Sequence, residues 1–163
     1  MKKLLIVPLV IVATWTQAAT TFKLNPHYFN ASNGAPIVFV QAPEVPMLEI
    51  KLAFRAGSAY DGNAYGLSAL TTELMNQGNG GLDAGDIADN LADTGAQFHS
   101  STSKDMALFE LKTLSEAKTL DQAVRVFKQI LSTPDFTEKA FIREKNQQLI
   151  AIKQALESPA EVA

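Results

Sequence analysis

An α+β fold, built on an antiparallel (mixed) sheet with helices packed on one face, is what this sequence predicts, and three observations predict it. Met47 to Ala56 and Met106 to Thr113 alternate apolar with polar residues, the period of a strand that buries one face. Three other stretches repeat apolar residues at the spacing of a helix stripe. The order is strands, then two helices, then a hairpin, then two long helices, which segregates helices from strands instead of alternating them.

Taken in order, Asn33-Gly34 reads as a turn leading into a strand at Ile37 to Val40, and Pro43 to Pro46 separates that strand from the next. In Met47 to Ala56, Leu48, Ile50, Leu52 and Phe54 form the apolar face, and Gly57-Ser58 ends the run. Leu67, Leu70 and Leu74 predict a helix from Tyr65 to Met75, stopped at Gln77-Gly78. Ile87, Ala88 and Leu91 predict a second from about Asp83 to Asp93, stopped before Gly95. Ala96 to Ser101 and Met106 to Thr113 then pair as a hairpin through Ser103-Lys104-Asp105. Leu120, Ala123, Val124, Phe127, Ile130 and Leu131 mark a helix from Ser115 to Ser132, with Pro134 just beyond it. Thr137 is the expected N-cap of the last helix, which runs to Glu157. No closing strand follows it, so the chain is expected to be a piece of a longer protein, truncated at its C-terminal end.

At 163 residues and 47% hydrophobic the chain can bury a real core, with room for about one domain at residues 20–163. Residues 1–18 have the layout of a secretory signal peptide: Lys2 and Lys3, an apolar run from Leu4 to Ala13, then small residues with cleavage after Ala18 or Ala19. That run, with Pro8 inside it, is too short for the roughly 20 residues of a membrane span. The expected location is therefore periplasmic or secreted, in a bacterial envelope, without stable membrane insertion. The chain has no Cys, which excludes a disulfide framework and lipid attachment through a Cys. Losing Lys2 and Lys3 shifts the net charge from −3 to about −5 and leaves no basic run, so nucleic acid is not an expected partner.

Gly66 to Asn79, GLSALTTELMNQGN, resembles the motif helix of the pitrilysin, insulin-degrading enzyme and mitochondrial processing peptidase family, usually written G-L-A-H-F-L-E-H-M-L-F-K-G-T. Three further blocks fall in the family's order: Ala56-Gly57-Ser58, Gly95-Ala96-Gln97-Phe98-His99-Ser100-Ser101-Thr102 and Phe141-Ile142-Arg143-Glu144. Together they extend over roughly residues 33 to 161. In active members two histidines four residues apart hold zinc, the glutamate between them is the base for the metal-bound water, and a distant helix supplies a third ligand. Here the histidine positions are Ala69 and Glu73, the base position is Thr72, and the distal position, seven residues after Glu144, is Ala151.

The resemblance thus implies a non-catalytic, N-terminal peptidase-like domain that needs no cofactor, although active relatives contain zinc. It implies that the protein completes a chamber holding extended peptide, with a zinc-containing homologous subunit as partner. Phe98, His99, Ser100 and Ser101 stand where the family has the cleft strand that pairs with peptide, which makes them the expected substrate-binding residues. Two other readings stay open: an active metallopeptidase whose ligands lie outside this chain, and a structural subunit of an envelope complex.

The remaining polar residues carry less. Glu73, His99 and Glu144 combine on paper as a replacement metal site, but no His or Cys stands three or four residues from either glutamate, so both read as solvated helix residues. His27 has no partner pattern and reads as a surface residue. Asn76 to Gly81 follows a helix instead of opening one, so it reads as a C-cap and loop, not a phosphate cradle. Ser68, Thr71 and Ser100 lack the context of a nucleophile elbow.

Overall fold

The computed structural model describes residues 25–157, in two units that divide between Pro43 and Glu44. The expected signal peptide lies outside the described residues.

The first unit is a hairpin of β1 (Pro26–Asn30) and β2 (Pro36–Val40), antiparallel, with Pro26 opposite Val40 and Asn30 opposite Pro36. Its turn is the expected one: Gly34 takes φ 85°, and the Asn33 side chain accepts the Ala35 N–H at 3.1 Å. Strand β1 is absent from the sequence reading because Pro-His-Tyr-Phe-Asn shows no alternation, and only its pairing with β2 reveals it. His27 lies on it and is exposed.

The second unit begins with β3 (Met47–Phe54), followed by a single 3-10 turn at Ser58–Tyr60 and α1 (Leu67–Leu74). After α1 come the two-residue strands β4 (Gly78–Asn79) and β5 (Leu82–Asp83), then α2 (Ala84–Ala92), β6 (Gln97–Thr102), β7 (Ala107–Leu114), α3 (Ala117–Ser132) and α4 (Glu138–Glu157). Strands β3, β7 and β6 form one antiparallel sheet in that spatial order. Its register sets Ile50 opposite Leu111 and Leu52 opposite Phe109, with Phe98 opposite Leu111 on the other side, so one face of the sheet is apolar. Onto that face pack Ile87 and Leu91 of α2 and Ala123, Phe127 and Ile130 of α3; Leu111 and Ile130 are wholly enclosed. The opposite face carries Glu49, Lys51, Glu110 and Lys112, with Lys51 bridging Glu49 at 3.0 Å and Glu110 at 3.1 Å. The predicted α+β class, an antiparallel sheet covered by helices on one face, is the observed one.

Helix boundaries follow local chemistry. Asp83 and Asp86 form a reciprocal capping box at the start of α2, and the Thr137 hydroxyl accepts the Ala140 N–H as expected for the N-cap of α4.

Four details of the sequence reading need correction. Ala88 is exposed, because one turn of α2 reaches the core and its flank does not. Val124 is likewise at the surface, while its neighbour Ala123 faces β7. Leu67 is half exposed, and the buried residues of α1 are Thr72 and Leu74. The stretch Asn76 to Gly81 is more than a loop: Asn79 is fully buried and ties the β4–β5 hairpin to α1 and α3, its amide donating to the carbonyls of Met75 at 2.8 Å and Ile130 at 3.1 Å.

Candidate functional site

Helix α1 has an unusual start. Gly66 stands at its N-cap with φ 88°, a left-handed conformation that disfavours any side chain, and a glycine cannot cap with a side chain of its own. Asp61, five residues upstream and 8% exposed, does this work instead. Its two carboxylate oxygens accept the Gly66 and Ser68 N–H groups, each at 2.9 Å. Burial pushes the Asp61 carboxyl up, but the hydrogen bonds from Ser68 and Gly66 outweigh it and hold the group below the usual aspartate value.

On this helix lie Ala69, Thr72 and Glu73. Thr72 is 3% exposed and lines a cavity of about 400 Å³ with Phe54, Tyr60, Leu67, Met75 and Phe109, whereas Glu73 is exposed. Ala151 is on α4, which packs beside α1. The contact between these helices is polar at both ends. Gln148 Nε2 donates to the Gly66 carbonyl at 3.2 Å, and Arg143 donates to the Gln77 side chain just beyond α1. The same Arg143 pairs with Glu144 at 3.0 Å, and Glu144 is only 11% exposed at its side chain, so it is a paired and largely covered carboxylate and not the solvated one expected from sequence.

These residues do not fit a zinc ion. Ala69 and Ala151 offer methyl groups, Thr72 is a neutral hydroxyl facing the sheet, and Glu73 is a single exposed carboxylate. Among the described residues no three His, Cys, Asp or Glu side chains gather as a metal centre requires. Glu73, His99 and Glu144 in particular are not brought together.

The expected substrate-binding residues lie on β6, which pairs with β7 on one side and forms an edge of the three-stranded sheet. Phe98 and Ser100 point to the helix-covered face, where the Phe98 ring meets that of Phe127 at 6.1 Å between centroids. His99 lies on the polar face opposite Glu110, which Lys51 already engages. Ser101 follows on the same face. What the edge offers an extended chain is therefore main-chain N–H and C=O groups, with His99 beside them.

Sequence reasoning missed Asp61 and Gln148. The signal for Asp61 was a helix beginning at Tyr65-Gly66 with no Ser, Thr, Asp or Asn at the N-cap itself, which leaves its first N–H groups to be satisfied by a residue farther upstream. Nothing in the sequence marks Gln148, whose partner is 82 residues away.

A profile of the insulinase family, peptidase family M16, matches residues 37–163. The non-peptidase homologue YmxG of Helicobacter pylori is 32% identical over 155 residues, 94% of this chain and 34% of that protein. The crystal structure of a peptidase M16 inactive domain from Pseudomonas fluorescens is 36% identical with a TM-score of 0.83, covering 86% of this chain and 34% of that one. Pitrilysin superposes with a TM-score of 0.67 at 20% identity over 88% of this chain and 15% of its own, a likeness of fold alone. This chain spans about a third of the length of the first two relatives.

Proposed function

Because this chain belongs to the insulinase family of peptidases, family M16, we propose that it is part of a non-catalytic homologue that completes a peptide-holding chamber with a zinc-bearing partner subunit in the periplasm. The observation that carries this reading is the simultaneous replacement at Ala69, Thr72, Glu73 and Ala151. Hydrolysis by this family's chemistry needs a metal to lower the pKa of a water and a base to take its proton, and these residues supply neither. The descriptions of two relatives, a non-peptidase homologue and an inactive domain, support the same reading.

Peptide holding rests on the β6 edge. A strand added beside Phe98, His99, Ser100 and Ser101 would satisfy main-chain groups that β7 leaves free, a mode of binding that tolerates many sequences. Export rests on the N-terminal layout of Lys2, Lys3 and the apolar run that follows.

The test is metal analysis of the purified full-length protein with cleavage of a quenched, unstructured peptide, alone and with a homologue that carries the zinc motif. No stoichiometric zinc and no cleavage alone, with activity appearing or rising on addition of that homologue, is the expected result. Stoichiometric zinc with cleavage by the isolated protein would sink it.

A further inference from the structure

We propose that the two helices on which zinc-containing relatives place their metal ligands are locked together here by a metal-free polar clasp, Gln148 on Gly66 and Arg143 on Gln77. Each half of the clasp sits close to a position where a ligand is missing. Gly66 is three residues before Ala69, and Gln148 is three residues before Ala151, so this hydrogen bond joins α1 to α4 one turn from both replaced positions.

The Gly66 carbonyl accepts the Leu70 N–H at 3.0 Å within the helix and the Gln148 amide at 3.2 Å from α4, which uses both of its lone pairs. Glycine suits this position: its φ of 88° is one that side chains rarely adopt, and a Cβ would lie 2.7 Å from Gln148 Nε2, so the glutamine amide would have to move from the Gly66 carbonyl. At the other end, Gln77 donates to Asn76 at 3.0 Å while accepting from Arg143, and Arg143 also holds Glu144 at 3.0 Å. The guanidinium thus pairs with a largely covered carboxylate and holds the residue just beyond the C-terminal end of α1 with the same group. A metal would have set the spacing of the two helices through ligands; here side-chain amides and a guanidinium set it, and no ion is needed. The clasp makes no use of peptide or of a partner, so it stands apart from the proposed chamber function.

Hydrogen exchange across residues 66–74 in the full-length protein reads the clasp directly. Gln148→Glu keeps the size of the side chain and removes the donor, and Gln77→Leu removes the acceptor at the other end. Each is expected to speed exchange of α1 about fivefold, the loss of one hydrogen bond of ordinary net strength. Gln148→Lys, which keeps a donor within reach of the Gly66 carbonyl, is expected to exchange like the wild type, which a general packing defect would not allow. Zinc or a chelator should leave wild-type exchange unchanged. Slower exchange on adding zinc, faster exchange on chelation, or wild-type rates in both Gln148→Glu and Gln77→Leu would overturn the proposal; if one variant does not fold, the other decides.

Discussion

Helices α3 and α4 follow one another in the chain and are both rich in apolar residues, yet they meet opposite fates. In α3 the residues at helical spacing form one stripe whose centre is enclosed: Ala123 and Ile130 are 0% exposed and Phe127 is buried beside them, while Val124 stays at its margin. In α4 only Ala140 is buried among the described residues, while Phe141, Ile142, Leu149, Ile150, Ile152 and Leu156 all remain substantially exposed, and the hydrogen bonds of this helix to α1 come from Gln148 and Arg143. An apolar pattern states that a helix has surface to bury; it does not state whether the neighbour it finds is a sheet or a row of amides. On α3 pattern and neighbour agree, and there the core closes.

The sharpest way to break this contrast is to truncate both helices. Ile130→Ala is expected to cost about 3–4 kcal/mol in denaturant unfolding, since it opens a cavity in the closed core. Leu149→Ala and Ile150→Ala are expected to stay within about 0.5 kcal/mol, as surface changes do. A cost at Ile150 near that of Ile130 would show that this side of α4 is covered in the complete protein. Next in size is Gly66→Ala, expected to destabilise by about 2 kcal/mol, because it meets both a left-handed backbone and the Gln148 amide. Gly81→Ala, with φ 85° but open space around it, separates the two causes and should cost about 1 kcal/mol.

A smaller effect of opposite sign is expected at Thr113. Its hydroxyl is enclosed on β7 without a hydrogen-bond partner, so Thr113→Val should stabilise the protein by about 1 kcal/mol in the same titration. The smallest effect belongs to pH. The Asp61 carboxyl is held below its ordinary value in the folded state, so its contribution is complete above that value and is lost as pH falls further, through the folded one. Asp61→Asn should flatten the acid limb of the stability curve in that window. An unchanged limb would mean that other carboxylates govern it.

The strands that alternate and the helices with one stripe were legible because period alone decides them. Met47 to Phe54, the hairpin through Ser103-Lys104-Asp105 and α3 came out within a few residues of their expected bounds. Strand β1 was not legible, since a strand without alternation is recognised only by its partner. Asn79 looked like a loop residue because a polar amide between glycines signals a turn, and its burial depends on carbonyls supplied by Met75 and Ile130. The replaced positions on α1 and α4 were readable from the motif, whereas the bonds that join those helices were not.

By itself the sequence determined the family, the α+β class and the missing ligands at Ala69, Thr72, Glu73 and Ala151, because motif residues and hydrophobic period are local properties of the chain. Only the tertiary structure decided that Asp61 caps α1, that Gln148 reaches Gly66, and that α4 buries Ala140 while its large apolar residues stay exposed. Each of these depends on which groups the fold brings within hydrogen-bond reach across a long stretch of chain, and no periodicity encodes that distance.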